Sequence, residues 1–169
     1  MVDFEPSQLN AAAKLTTGNI LVGGVGSGKS RTSILWWYHY ICGGTVPINN
    51  DHTSKPIQWP KDLYIITTAY KRDTLDWERE ILPFIYDHKK IKVTVDSWNN
   101  IEKYSNVSHA CFIFDEQHVV GYGKWSKTFI HIARNQNHWI LLSATPGDTY
   151  SDYMAVFIAN RFYKNKSDF

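Results

Sequence analysis

The eight residues Gly23-Gly24-Val25-Gly26-Ser27-Gly28-Lys29-Ser30 constrain this chain more than any others. They fit the pattern G-x-x-x-x-G-K-[S/T], and the apolar run Asn19-Ile20-Leu21-Val22 leads into them. A helical pattern follows. Strand, glycine loop and helix in that order build a phosphate-binding loop. Glycines let the backbone turn tightly and aim successive N–H groups at phosphate oxygens. The helix behind the loop adds the positive end of its dipole. In such a loop Lys29 reaches the β- and γ-phosphates, and the Ser30 hydroxyl ligates Mg²⁺. Gly24, Val25, Gly26, Ser27 and Gly28 form the cradle, with Arg31 at its edge. An ordinary glycine turn is the alternative, and the flanking strand and helix count against it.

The loop sits in a chain of 169 residues, about one domain's worth. A net charge of +2 is too small to argue for a nucleic-acid partner by itself. Cys42 lies in an aromatic helical pattern and Cys111 opens an apolar strand, so both read as small buried hydrophobes in a reducing compartment. The start, Met1-Val2-Asp3-Phe4-Glu5, has neither the basic nor the apolar part of a secretory leader. No apolar run approaches the ~20 residues that span a bilayer. The expectation is a cytoplasmic chain with no membrane partner.

Five short apolar runs read as buried strands: Asn19 to Gly23, Asp62 to Thr68, Lys92 to Val95, Ala110 to Phe114, and Trp139 to Ser143. Helical spacing separates most of them, over Lys29 to Cys42, Thr74 to Ile85, Trp98 to Tyr104 and Lys124 to Asn135. It returns over Tyr150 to Tyr163. Near-continuous apolar strands alternating with helices predict an α/β fold, a mainly parallel sheet with helices on both faces. Gly43 to Lys61 is polar, holds Pro47, Pro56 and Pro60, and reads as a long irregular connection.

Two further strand ends carry chemistry. Cys111-Phe112-Ile113-Phe114 delivers Asp115 and Glu116, followed by Gln117 and His118. In open parallel sheets, ligands bind at the carboxyl ends of the strands. Asp115 there suits a magnesium ligand, direct or through water. Glu116 suits a group that orients and deprotonates an attacking water. Trp139-Ile140-Leu141-Leu142 ends in Ser143-Ala144-Thr145-Pro146. Ser143 and Thr145 could bond the acidic pair or a γ-phosphate and sense its state, but alone they are equally a turn before proline.

Phosphate loop, Asp-Glu-x-His and Ser-Ala-Thr, in that order, resemble the motifs of superfamily-2 helicases and translocases. The chain resembles their first RecA-like domain over nearly its whole length, and Asp115-Glu116-Gln117-His118 is similar to the DExH-type members. The runs Phe112 to Gln117, Leu141 to Asp148, Val156 to Asn160 and Phe162 to Asn165 look like helicases of bacteriophages of Gram-positive hosts. The resemblance implies a RecA-like P-loop ATPase spanning residues 1–169, with ATP and Mg²⁺ as cofactors and Lys29, Asp115, Glu116 and His118 in its catalytic machinery. It implies that Gln8 reads adenine, for which an amide's paired donor and acceptor are suited. It implies that His118 links the acidic motif to the coupling network. It places Thr68, Lys71, Arg72, Ser97 and Trp98 on nucleic acid, DNA ahead of RNA, with Trp98 stacking on a base. Core packing is the alternative for Trp77 and Trp98.

Such motors bind ATP between two RecA-like domains, and the second supplies an arginine finger worth about 10³–10⁵ in rate. The residues after Thr145 are too few for a second domain, so the expectation is half of a longer motor, partnered in cis or in trans. Two other functions fit the motifs. One is a DNA-packaging terminase-type ATPase, and the other is a nucleic-acid-binding module whose ATP site does not turn over.

Overall fold

A computed structural model describes residues 3–47, 55–116 and 123–169. Among them, five strands form one wholly parallel sheet. They are β1 (Ile20–Val22), β2 (Leu63–Thr67), β3 (Val93–Ser97), β4 (Cys111–Asp115) and β5 (His138–Ser143). Their order across the sheet is β1-β5-β4-β2-β3. All five runs read from the sequence as strands are strands, with ends that differ by at most two residues.

Period-two alternation splits these apolar runs between two cores. Leu63 and Ile65 of β2, Cys111 and Ile113 of β4, and Ile140 and Leu142 of β5 enter the first. Tyr64, Ile66, Phe112, Phe114, Trp139 and Leu141 enter the second. The first face is covered by α1 (Pro6–Lys14), α2 (Lys29–Leu35) and α4 (Asp76–Ile81). The second is covered by a 3₁₀ helix (Trp98–Tyr104), α5 (Ser126–Arg134) and α6 (Met154–Ala159). The second core is largely aromatic. Phe129 meets Trp139 edge-on at 5.2 Å, and Phe112 stacks on Phe114 at 5.5 Å. Each such ring contributes about 1.5–3 kcal/mol when it leaves water.

The helices depart from the sequence reading in instructive ways. The helix expected over Lys29 to Cys42 is α-helical only to Leu35 and then widens into a π-helical stretch, Trp36–Ile41. There the Cys42 N–H reaches back five residues to Trp37 O at 2.9 Å. Trp36, Trp37 and Tyr38 are all buried, and the wider turn accommodates three consecutive large rings. Of the helix expected over Thr74 to Ile85 only α4 forms, and a separate short helix, α3 (Ala69–Asp73), precedes it across a break at Leu75 with φ +58°. Trp98 to Tyr104 is 3₁₀. The end of the chain pairs a 3₁₀ turn, Tyr150–Tyr153, with α6. Helix α1, which no pattern announced, starts from Pro6 with a Glu5–Gln8 capping box.

Cys42 and Cys111 are buried and free, as the sequence suggested. Burial pushes the Cys42 thiol up to about 11 and holds Cys111 well above its ordinary value. Both are therefore inert at neutral pH. Of the connection from Gly43 to Lys61, the described parts hold one isolated bridge between Thr45 and Lys55, and residues 48–54 lie outside the described residues. No described helix is long and apolar enough to cross a membrane.

Candidate nucleotide site

The parallel register brings the strand ends together along one rim. Val22 lies beside Ser143, Leu142 beside Asp115, and Thr67 beside Ser97. The Gly23 N–H donates to Ser143 O at 3.2 Å, tying the start of the phosphate loop to the end of β5. Chemistry read from three distant stretches of sequence thus sits at one carboxyl edge, where open α/β sheets hold ligands.

The loop needs its glycines at two places. Gly26 and Gly28 both have φ +77°, a region that side chains other than glycine rarely enter. A Cβ on Gly28 would also lie 1.9 Å from Gln8 Nε2. Around Gly24 and Gly26 the space is open. The Lys29 ammonium folds over the loop and donates to Gly23 O at 2.5 Å and Gly24 O at 2.8 Å. A phosphate oxygen offers that ammonium a stronger, charge-assisted acceptor than either carbonyl.

The acidic pair is held differently. Asp115 follows Cys111 and Ile113 on the first face of the sheet, the face that carries α2 and α4, and is only 3% exposed. Three donors converge on its Oδ2: Thr67 Oγ1 at 2.8 Å, Lys71 Nζ at 3.0 Å and Trp77 Nε1 at 3.2 Å. Its main-chain oxygen accepts the Trp98 indole N–H at 2.9 Å. Glu116 follows at φ +57°, a strained conformation of the kind stored at functional sites. Its side chain stays half exposed and pairs with Lys71 Nζ at 2.8 Å. Burial alone would pull the Lys71 ammonium down, but the Glu116 and Asp115 carboxylates outweigh it and hold the group above its ordinary value.

Between loop and acids lies a cleft of about 330 Å³. Its lining includes Val25 to Arg31, Lys71, Glu80, Asp115, Glu116 and Ser143. Arg31 pairs with Glu80 of α4 at 3.0 Å across its edge. Ser30 and Asp115 present hard oxygen donors at this cleft, a set that suits Mg²⁺.

The other expected site residues fall as follows. Gln8 reaches the loop, but its amide is engaged: Nε2 donates to Gly28 O at 3.4 Å, and Oε1 accepts the Glu5 N–H at 2.8 Å. Ser143 stands on the second face, away from the Asp115 carboxylate, and its Oγ accepts the Thr145 N–H at 3.1 Å. The Ser143 hydroxyl and the acidic pair are thus not bonded here. Thr68 caps α3, accepting the Lys71 N–H at 3.2 Å. Arg72 donates to Asp96 Oδ1 and Ser97 Oγ, each at 3.3 Å. Asp96 is itself buried and stays ionised below the usual carboxylate range. Desolvation pushes it up, but Asn100, Tyr104, the Ser97 N–H and Arg72 outweigh that.

One expectation is corrected. Trp98 does not stack on a base: it is 2% exposed and packs against Phe114 at 5.6 Å in the second core. Lys71, expected on the nucleic-acid side, places its ammonium between the Asp115 and Glu116 carboxylates. Gln117 and His118 lie outside the described residues. Sequence reasoning missed Thr67 and Trp77 as partners of Asp115. Their spacing does not mark them as its partners, and only the strand pairing and the seating of α4 bring them within reach.

No family model matches the chain, and no curated protein sequence matches it. A solved structure described as "Crystal structure of Pyrococcus furiosus Hef helicase domain" superposes with a TM-score of 0.61 at 18% identity. The match covers 90% of this chain and 35% of that one. The chain has a RecA-like α/β fold. The chain spans about a third of that helicase structure, and at this identity the likeness speaks for the fold.

Proposed function

We propose that this chain is the ATP-binding and ATP-hydrolysing motor domain of a superfamily-2 nucleic-acid helicase or translocase. One observation carries the reading: Lys29, Ser30 and the Asp115–Glu116 pair line a single cleft at the rim of one parallel sheet. Ser30 and Asp115 would hold Mg²⁺, which supplies neutralisation of charge on the β- and γ-phosphates. Lys29 would swing from the Gly23 and Gly24 carbonyls to the phosphates. Glu116, exposed beside buried Asp115, would orient and deprotonate the attacking water. Gln8, already against Gly28, would exchange its present partners for adenine.

Thr68, Arg72 and Ser97 lie on the β2–β3 side of the same rim and are the candidate contacts to a phosphodiester backbone, which they would position on without reading sequence. A second RecA-like domain, in cis or in trans, would close the cleft and add an arginine. The phage-like wording of Leu141 to Asp148 and Val156 to Asn165 supports a bacteriophage helicase acting on DNA in a host cytoplasm.

Calorimetric titration with MgATP, for the wild type and Lys29→Ala, tests the nucleotide reading. Single-turnover hydrolysis with and without single-stranded DNA tests the motor reading. Binding that survives Lys29→Ala unchanged overturns the first. Hydrolysis indifferent to DNA, both in this chain and in one that includes a second domain, overturns the second.

A further inference from the structure

Asp115 is gripped from both faces of the sheet by two indoles. Trp77, on α4 over the first face, donates Nε1–H to the carboxylate Oδ2. Trp98, in the 3₁₀ helix over the second face, donates Nε1–H to the main-chain oxygen of the same residue. Both rings are buried, at 1% and 2% exposure, and both donors are enclosed. An indole has a single donor and no acceptor. Each ring therefore fixes one oxygen of Asp115 and offers nothing to a ligand.

The two bonds constrain different things. Trp77, with Thr67 and Lys71, loads Oδ2 with donors, and none of these three donates to Oδ1. A cation taken by this carboxylate would therefore meet Oδ1, the oxygen these three donors do not load. Trp98 holds the carbonyl of the peptide joining Asp115 to Glu116. That peptide's orientation sets where Glu116, at φ +57°, directs its side chain. A left-handed residue without glycine's freedom persists only when its surroundings over-determine it.

We propose that Trp77 and Trp98 are positioning residues for the reaction assigned above: Trp77 orients Asp115 for Mg²⁺, and Trp98 orients Glu116 for water. The inference rests on the ATPase reading and adds to it residues outside the motifs that carry that reading. Trp98 also directly follows Ser97, a partner of Arg72, so a shift of the β3 end on the nucleic-acid side would reach the acidic corner through one side chain.

The test uses Trp77→Phe and Trp98→Phe, which keep most of each ring and remove its N–H. Trp37→Phe is the control. Its indole donates to a carbonyl as Trp98 does, but to Lys61 O, at the amino-terminal end of the strands. A fluorescent ATP analogue is titrated into each folded chain across a range of Mg²⁺, and single-turnover hydrolysis is followed at saturation. Trp77→Phe should raise the Mg²⁺ needed for half-maximal nucleotide binding by about tenfold, the scale of one hydrogen bond to a charged group. Trp98→Phe should leave nucleotide affinity within about twofold and slow hydrolysis about tenfold. Trp37→Phe should lower the melting temperature and change neither readout.

Should Trp77→Phe not fold, Thr67→Val removes a neighbouring donor from the same oxygen and carries the same expectation for Mg²⁺. Unchanged Mg²⁺ dependence and hydrolysis in the tryptophan variants, with the wild type binding nucleotide, overturns the inference alone. The same result follows if Trp37→Phe reproduces their effects. A wild-type chain that binds no Mg-nucleotide overturns the ATPase reading and takes this inference with it.

Discussion

The two walls of the cleft are made by opposite means. The phosphate loop is local: Gly23 to Ser30 are consecutive, much of the loop is open to solvent, and Lys29 bonds to carbonyls five and six residues behind it. The acidic wall is assembled from afar. Asp115 takes its partners from Thr67, Lys71, Trp77 and Trp98, between 17 and 48 residues away. The difference follows from what each wall must do. A cradle for phosphate offers N–H groups and must stay accessible. A carboxylate withdrawn from water needs partners for its charge, or its desolvation goes uncompensated.

The contrast can be broken by experiment. The largest effect should come from Glu116→Gln, which removes the proposed base and leaves the walls standing. Single-turnover hydrolysis should fall by about 10²–10⁴ with nucleotide affinity within about twofold. Unchanged turnover would remove Glu116 from the chemistry. Next, Lys29→Ala should weaken MgATP binding by about 100-fold, as two charge-assisted bonds to phosphate are lost. Its melting temperature should stay within about 2 °C of wild type, since the loop is not part of either core.

Thr67→Val probes the other wall. It leaves the buried Asp115 charge short of a donor and should cost about 1.5–3 kcal/mol in urea unfolding. If Lys29→Ala destabilised the fold as much as Thr67→Val, the local and assembled walls would not differ in the way described. Acid should then separate the β3 end from both. Asp96 titrates below the usual carboxylate range, so its contribution is present above the unfolded value of about 3.9. That contribution is lost as pH falls through the depressed folded value. Asp96→Asn should flatten that limb of the stability profile, and an unchanged acid limb would show that the Asn100, Tyr104 and Arg72 bonds do not favour the ionised form. The smallest effect belongs to Arg31→Ala. The Arg31–Glu80 pair is about a third exposed on each side and should contribute less than about 1 kcal/mol.

How much was legible in advance tracks the same divide. The strands were readable because a buried parallel strand announces itself as an apolar run, as in Cys111-Phe112-Ile113-Phe114. The phosphate loop was readable because its parts are neighbours in sequence. Trp98 was misplaced because an aromatic after a rim motif has the same appearance whether it faces solvent or core. Its burial comes from packing beside Phe114 under the second helical layer. The pairing of Lys71 with the acids was not readable because the direction of a five-residue helix, α3, depends on its cap at Thr68 and on the break at Leu75.

Sequence alone determined the parallel α/β class, the glycine loop and the identity of the acidic pair, because each is written in spacing over a few residues. Tertiary structure alone decided which face Asp115 occupies, that two indoles seize it from opposite sides, and that Lys71 joins the acids. Those outcomes depend on which strands lie side by side and on how helices seat across them. Such pairings are set by the burial of whole faces, and no short stretch of chain encodes them.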